Sequence, residues 1–283
     1  MANTDRVAKA NQVRPILPTS TPSVSTFSDP AVTVTRTEGY SPSKAAAFWL
    51  RRDIVRGVFR PMERLKVERL VEFYKVGHSP VREAILLVSA SGLAVHEHQR
   101  GYRVAPVSLA DYDDVVSVYQ RLYKLAIGMA IELGDDAWEE RTLVQLHRSA
   151  KVPIVLPDGD AQARERWQRS YGEFHGQLVS GCGSPLLRQL LGDIGFRLER
   201  YVNLFADLAS DRDRDHHSEH REIVNAVVAR DHDNAIALID AYFARAQPIR
   251  DSIIKNLLRA EQTSGRSRSR SRAVRSGPSD AAQ

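Results

Sequence analysis

Residues 78–101 carry polar side chains whose chemistry suits contact with DNA. His78, Ser79 and Arg82 lie at the start of a helical pattern, and Arg100 precedes Gly101 in a basic turn. Arginine can donate two parallel hydrogen bonds to a guanine, and histidine and serine can hydrogen-bond to base edges or phosphates. A glycine at such a turn lets the backbone bend sharply or approach another molecule closely. These residue types predict direct contact with double-stranded DNA.

Short helices are the elements that must position these side chains. The sequence predicts one helix from Ser41 to about Gly57 and a second over residues 67–74. After a tight turn, a third helix is predicted to begin with Ser79 as its N-cap. Its buried face is apolar at helical spacing, at Val81, Ala84, Ile85 and Val88. Two helices joined in this way form a helix-turn-helix, whose second helix enters the major groove of DNA.

A β-hairpin is predicted to follow the helix-turn-helix. Residues 93–97 and 102–105 alternate between apolar and polar types on either side of a basic tip, His98–Gly101. Such a hairpin would act as a wing and bring its basic tip to the DNA. The candidate DNA-binding residues are therefore Arg64, His78, Ser79, Arg82, Arg100 and Gly101.

This segment resembles the winged helix of GntR-type bacterial regulators. The core of that family runs S-R-T-P-V-R-E-A, and the residues Gly77–Ala84 here are G-H-S-P-V-R-E-A. Gly92-Leu93 also lies in register with the family. Two departures bear on function, because Met62 replaces a turn glycine and His78 replaces a base-contacting arginine. The resemblance implies an operator-binding domain with an altered base preference.

Charge divides the chain into a basic part and an acidic part. Residues 43–106 hold 12 Lys and Arg against 6 Asp and Glu, a net charge of +6, whereas residues 107–263 sum to −6. The whole chain carries +5. A basic segment beside an acidic one predicts that the first binds a polyanion and the second does not.

From Ser108 onward the sequence has helical patterns throughout. Ser108 is predicted to cap a long helix whose apolar positions include Val115, Val118, Leu122, Leu125 and Met129. Further amphipathic patterns cover residues 136–150, 161–181, 185–208, 213–230 and 232–260, with a loop at Lys151–Asp160. The predicted fold class is mainly α: an N-terminal winged helix-turn-helix with a small hairpin wing, then an all-α bundle of six or seven helices. Bundles of this kind place ligand sites among facing helices.

This second part resembles the FCD effector domain of the FadR-like branch of the GntR family. The resemblance rests on Phe174-His175, on Glu219-His220 with Ile223, and on Asp231 before an alanine-rich helix. Many members of that branch hold a divalent metal through an aspartate and histidines from several helices of the bundle. The resemblance places His175 and His220 at two of these metal-binding positions.

Tyrosines occupy the other two positions. Tyr171 replaces the aspartate and Tyr242 replaces the last histidine. A neutral phenol is a poor ligand near pH 7 because it titrates at about pH 10, and zinc needs about three or four protein ligands. The sequence therefore favours a metal-free pocket in which Tyr171, His175, His220 and Tyr242 hydrogen-bond to a bound effector. A weak zinc site at His175 and His220, and a polar core without a ligand, are the alternatives.

An arginine on the first helix of the bundle is expected to recognise a carboxylate. Arg121 occupies a position where the resemblance implies an inward-facing arginine. Its planar guanidinium could donate two hydrogen bonds to a small organic acid. The candidate effector-binding residues are Arg121, Tyr171, His175, His220 and Tyr242.

The apolar runs, the N-terminus and the cysteine content predict the cellular compartment of the protein. No apolar run approaches the ~18 residues of a membrane-spanning helix, and the N-terminus lacks the order of a secretory signal. The single cysteine, Cys182, excludes an internal disulfide framework and fits a reducing cytoplasm. We therefore expect a cytoplasmic protein that works on nucleoid DNA and has no membrane partner.

Four regions are predicted along the chain. They are a disordered N-terminal segment (1–40), the winged helix (41–107), a helical domain for effector binding and dimerisation (108–261), and a disordered tail rich in Arg and Ser (262–283). The tail could add nonspecific affinity for phosphates that weakens with salt.

These features favour a homodimeric transcription factor, most simply a repressor, that binds a pseudo-palindromic operator under the control of a small organic acid. Two alternatives come from other classes of protein. A metal-dependent enzyme would use His175 and His220 as a catalytic pair, but the sequence shows no paired carboxylate base, phosphate loop or nucleophile with its base. A nonspecific nucleic-acid-binding protein would act through the Arg- and Ser-rich tail.

Overall fold

The computed structural model describes residues 41–153, 161–207, 210 and 213–260. The segments predicted to be disordered, 1–40 and 262–283, lie outside the described residues, as do residues 154–160 of the predicted loop. No described helix is long and apolar enough to cross a membrane.

The N-terminal unit is a helix-turn-helix with a two-stranded wing. Its elements are α1 (Pro42–Val55), α2 (Val67–Tyr74), α3 (His78–Ala90), β1 (Ala94–Glu97) and β2 (Gly101–Val104). The Ser41 hydroxyl accepts a hydrogen bond from an amide of the first turn of α1, and Gly57 takes a φ of +74° just beyond its end. Both predicted ends of α1 are thereby confirmed. The predicted cap at Ser79 is wrong, because α3 begins at His78 with Gly77 as its N-cap.

The strands of the wing pair antiparallel, with Glu97 opposite Gly101. The segment before α2 extends this small sheet, because Arg64 pairs with Arg103 of β2. Met62, in the same segment, has a φ of +66°, the left-handed conformation that favours glycine. The resemblance predicts glycine at this turn. Met62 occupies the position instead and adopts a backbone conformation typical of glycine.

The C-terminal unit is a bundle, with seven helices among the described residues. They are α4 (Leu109–Leu133), α5 (Asp136–Ser149), α6 (Ala161–Val179), α7 (Pro185–Phe205), α8 (His216–Val228), α9 (His232–Arg245) and α10 (247–260). The Ser108 hydroxyl caps α4 by accepting a hydrogen bond from the Asp111 amide at 3.1 Å. The mainly α fold with a hairpin wing is confirmed, and the single pattern predicted over 232–260 is divided at Ala246.

Trp138 of α5 fixes the position of α6, which carries His175. The indole is 1% exposed, and its Nε1 donates to the Gln177 carbonyl at 3.1 Å. Gly181 follows α6 and leaves room for the ring, because a Cβ there would lie 2.8 Å from the indole. Burial of a side chain this large stabilises the bundle by about 3–5 kcal/mol against truncation to alanine, so α5 and α6 form a rigid support.

Helix α7 joins the two units. Phe196 packs into the core of the winged helix. The Asn203 side chain donates to the Val55 carbonyl at the end of α1 at 3.1 Å, and Arg200 donates to the Ala105 carbonyl just after the wing at 2.5 Å. We call Phe196, Arg200 and Asn203 the α7 junction. Through it, a displacement of α7 would reach both α1 and the wing.

Candidate DNA interface and effector cavity

The N-terminal end of α3 presents the predicted DNA contacts on one exposed face. His78, Ser79 and Arg82 are all exposed, and Arg82 lies on the side of the helix shared with the other two because it follows them by four and three residues. The opposite side of α3, which includes Val81 and Ile85, is buried in the core of the winged helix. The fold therefore turns the three polar side chains outward as a group.

The wing presents the second group of predicted contacts. Arg100 is exposed at its tip, and Gly101 has a φ of +78° with no atom within 4 Å of the place where a Cβ would stand. Arg64 is exposed at the edge of the same sheet. Arg103 is held by Glu97 at 2.7 Å, and its hydrogen bond lowers the pKa of the Glu97 carboxyl. The base of the wing is thus paired internally, while its tip projects away from the protein.

A cavity of about 180 Å³ lies inside the bundle. Its wall is mainly aromatic and aliphatic. The aromatic residues that line it are Tyr112, Tyr119, Tyr123, Trp167, Tyr171, Tyr242 and Phe243. The polar residues that line it are Gln120, Gln168, His175, Glu199, Arg214, His216 and Arg250. This composition is typical of a site for a small organic molecule, with a few polar groups that fix its orientation.

Five side chains form a hydrogen-bonded group, which we call the Tyr-His cluster, and all of them except the predicted His220 line one end of the cavity. The Tyr242 hydroxyl is its centre: it donates to the Tyr171 hydroxyl at 2.8 Å and lies 3.2 Å from His175 Nε2 and 3.3 Å from His220 Nε2. The Tyr123 hydroxyl lies 2.7 Å from His175 Nδ1. The structure therefore brings together four of the residues singled out in the sequence, and adds Tyr123.

Burial keeps both histidines of the cluster neutral. It lowers the pKa of His175 to about 3, with smaller repulsive contributions from His216 and Arg214. Burial lowers the pKa of His220 in the same direction and raises that of the Tyr242 phenol. Neutral imidazoles that donate through Nε2 would complete the bonds to the Tyr242 hydroxyl. The Tyr-His cluster is therefore an uncharged network at neutral pH.

Arg214, which sequence reasoning missed, forms a charged edge of the cavity. Its guanidinium donates to both carboxylate oxygens of Glu219, with Nη2 2.6 Å from Oε2, and to the Tyr242 carbonyl at 2.8 Å. It also lies 4.4 Å from the centre of the Tyr242 ring. A bidentate pair with additional hydrogen bonds is rigid. Arg214 therefore holds Tyr242 in place beside the ligand space.

The Tyr-His cluster does not fit a divalent metal. Both imidazole Nε2 atoms face the Tyr242 hydroxyl, and burial raises the pKa of that phenol, so without a metal it stays protonated and presents only a neutral oxygen. In the part of the chain that the structure describes, no group of three or more His, Cys, Asp or Glu could hold a metal ion. His175 and His220 are therefore assigned to the hydrogen-bonded network and not to zinc.

Arg121 does not face the cavity. It is exposed on α4, two residues from each of the buried Tyr119 and Tyr123, and side chains two apart point to nearly opposite sides of a helix. The expectation of an inward-facing Arg121 is therefore wrong. The arginines that line the cavity are Arg214 and Arg250.

Comparison with known proteins identifies the family. Residues 42–104 match the bacterial regulatory proteins of the gntR family, and residues 114–245 match the FCD domain. The HTH-type transcriptional repressor GlaR of Escherichia coli (strain K12) is 31% identical over 222 residues, which cover 77% of this chain and 96% of that protein. The uncharacterized HTH-type transcriptional regulator BphR of Paraburkholderia xenovorans (strain LB400) is 30% identical over 190 residues, which cover 67% of this chain and 77% of that protein.

Solved structures share the fold. E. coli McbR/YncC aligns with a TM-score of 0.59 at 17% identity, over 78% of this chain and 99% of that one. A putative transcriptional regulator GntR from Rhodococcus sp. RHA1 aligns with a TM-score of 0.54 at 22% identity, over 74% and 98% of the two chains. With a winged helix followed by an FCD bundle, the chain belongs to the FadR-like branch of the GntR family of bacterial regulators, and it is a transcriptional regulator and not an enzyme.

Proposed function

We propose that the chain is a repressor that binds a pseudo-palindromic operator as a homodimer, and that a small organic acid in the cavity changes its affinity for that operator. The exposed polar face of α3, formed by His78, Ser79 and Arg82, is the observation that carries the proposal. Repression is supported by GlaR, which is named as a repressor.

The winged helix provides both kinds of DNA contact. The N-terminal end of α3 enters the major groove, where Arg82 and His78 meet base edges. Arg64 and Arg100 bind the phosphate backbone beside the wing, and Gly101 allows close approach. The net charge of +6 over residues 43–106 supplies the sequence-independent part of the affinity.

An apolar stripe on the outside of α4 supports dimerisation. Val118, Leu125 and Leu133 are 37%, 54% and 60% exposed, and the first two are among the apolar positions named from the sequence pattern. Together with the partly buried Leu122 and Met129 they form a line along the helix at a spacing of three or four residues, which we call the α4 stripe. A second copy of the chain would remove this stripe from water and set two α3 helices about one turn of DNA apart.

Two guanidinium groups in the cavity wall support an organic acid as the effector. Arg214 and Arg250 line the cavity, and each is held in place by a carboxylate outside that lining, Glu219 and Asp113 respectively. A carboxylate in a partly buried site gains most from guanidinium donors. These arginines take the role that the sequence assigned to Arg121.

Helix α7 connects the cavity to the DNA-binding unit. Gln168, which lines the cavity, donates to the Asn203 side chain at 2.5 Å, and Asn203 in turn donates to the Val55 carbonyl of α1. Leu198 and Val202 of α7 also line the cavity. An effector that contacts α7 would therefore shift the α7 junction and change the positions of the two winged helices in the dimer.

Arg82→Ala tests the assignment of the DNA interface. We expect this variant to lose about 1–3 kcal/mol per half-site on a duplex obtained by in-vitro selection, and much less on a scrambled duplex, because base contacts distinguish the two. Arg148→Ala, which removes an exposed arginine of α5, is the matched control and should bind like the wild type. Deletion of residues 263–283 should leave the preference for the selected duplex intact. If that deletion abolishes all binding, the tail and not α3 binds the DNA.

A further inference from the structure

We propose that the cavity binds an aromatic monocarboxylate without a metal ion, with its ring among the tyrosines of α4 and its carboxylate at Arg250. This proposal names the class of ligand that the effector site binds. It rests on the proposed function only where ligand binding is expected to change the affinity for DNA.

The size of the cavity suits a single substituted ring. Its volume is about 180 Å³. A cavity of about 150 Å³ in another protein is large enough to bind benzene. The space in this bundle is therefore large enough for one ring with a short side chain.

The wall is built from aromatic rings that already pair with one another. Tyr119 stacks on Tyr123 with 5.8 Å between ring centres, and Phe243 meets Tyr123 edge-on, also at 5.8 Å. Trp167 lies 5.6 Å from Tyr171. Rings prefer these offset and edge-to-face arrangements. A ligand ring would extend the array, whereas a short dicarboxylate would place its second charged group against aromatic faces that cannot solvate it.

Arg250 supplies the polar end of the site. Its Nη2 donates to Asp113 at 2.9 Å, and its Nε is buried and makes no hydrogen bond to the described residues. A buried donor without an acceptor is costly. A ligand carboxylate would accept from Nε–H, while the bond to Asp113 holds the guanidinium in place.

The two ends of the site lie at different levels of α4. Asp113 holds Arg250 at one level, and Tyr119 of the aromatic wall lies six residues further along the helix. At the rise of an α-helix the two levels are about 9 Å apart along the helix axis, so the guanidinium and these rings meet different parts of one ligand. The Tyr-His cluster closes the cavity beyond Tyr123 with neutral hydroxyl and imidazole groups, so no metal is needed to bind the ring.

Binding to the full-length protein can be followed by calorimetry and by the fluorescence of Trp167, which lines the cavity. The probes are benzoate, phenylacetate, 3-phenylpropanoate and cinnamate, with succinate and benzyl alcohol as comparators, each with and without EDTA. We expect at least one aromatic acid to bind saturably, with no effect of EDTA. Arg250→Gln should weaken that binding about tenfold or more, because a charge-assisted bond is lost. Arg148→Gln, at an exposed arginine of α5 that does not line the cavity, should bind like the wild type.

Each contrary result bears on a different step. Binding of succinate in preference to every aromatic acid, or no binding of any aromatic acid at millimolar concentration, would overturn the ligand class. Loss of binding in EDTA would overturn the metal-free site. Equal binding by Arg250→Gln and the wild type would overturn the role of Arg250. If an aromatic acid binds but the protein shows no preference among DNA duplexes, the proposed function fails and the ligand assignment stands.

Discussion

Lowering the pH from 7 to 5 is expected to destabilise the bundle through the two buried histidines of the Tyr-His cluster. Both have a pKa below the ordinary value of 6.5, and that of His175 is lowered to about 3. In the unfolded chain each imidazole titrates near 6.5 and binds a proton within this range, whereas in the folded chain both stay neutral. The unfolded state therefore binds more protons, and stability falls as the pH falls.

The size of the effect follows from proton linkage. Between pH 7 and pH 5, each histidine that is neutral when folded and has a pKa of about 6.5 when unfolded lowers the free energy of unfolding by about 2 kcal/mol. His175 and His220 together account for about 4 kcal/mol. Asp193 changes the free energy of unfolding in the opposite direction as the pH falls. Burial raises the pKa of its carboxyl, so this group binds a proton in the folded chain at a higher pH than in the unfolded chain. Its effect belongs mainly to the lower end of the range, because its carboxyl starts from an ordinary value of 3.8.

Urea unfolding followed by circular dichroism at pH 7, 6 and 5, at one protein concentration, measures this loss. Replacing either His175 or His220 with glutamine should halve the decrease in the free energy of unfolding between pH 7 and pH 5. His147→Gln, at an exposed histidine of α5, is the matched control and should keep all of it. Two results would refute the neutral network. One is a decrease in the free energy of unfolding of the wild type by less than about 1 kcal/mol between pH 7 and pH 5. The other is a titration near pH 6.5 in the imidazole NMR signals of both histidines.

Three further predictions concern coupling, metal binding and assembly. Asn203→Ala removes the link between Gln168 and α1, so a cavity ligand should change operator affinity about threefold to tenfold less than it does in the wild type. Tyr171→Asp with Tyr242→His should create a zinc site with His175 and His220, because it supplies an anionic and an imidazole ligand. Leu125→Glu should convert the dimer to a monomer at micromolar concentration, because it places a charge in the α4 stripe.

Matched variants keep these three results specific. Asn256→Ala removes a similar bond, from the Asn256 side chain to the Phe205 carbonyl at 2.8 Å, and should leave the coupling unchanged. The wild type should take up no zinc under the conditions in which the double variant binds it, as measured by metal analysis after dialysis. Leu143→Glu, at a leucine of α5 that is 46% exposed, should remain a dimer in light scattering. Equal behaviour of a variant and its control would contradict the corresponding prediction.

The winged helix could be predicted almost completely from the sequence. Its signals are local: an apolar face at helical spacing on α3, a turn before it, and alternation on either side of a basic tip. The error at Ser79 has a simple cause. The first four amides of a helix have no partner within it, so Pro80 fits any position of the first turn and does not fix where α3 begins.

The cavity could be predicted only in part. The resemblance located Tyr171, His175, His220 and Tyr242 because their helices keep the spacing of the family. Tyr123 was missed, since it meets His175 across 52 positions of the chain and no local pattern marks such a contact. Arg121 was misplaced because its orientation came from the resemblance alone. Helix α4 is apolar on two faces, one in the core and one in the α4 stripe, so hydrophobic periodicity did not show which face is inside.

In-vitro selection of DNA by the purified full-length protein, at fixed salt and beside Arg82→Ala, tests the proposal of a dimeric winged-helix regulator most directly. The proposal predicts that the wild type selects a two-fold symmetric site with half-sites about one helical turn apart. The variant should lose that preference and keep only salt-sensitive binding. Enrichment of no sequence by the wild type, or the same site from both proteins, would contradict the placement of α3 in the major groove.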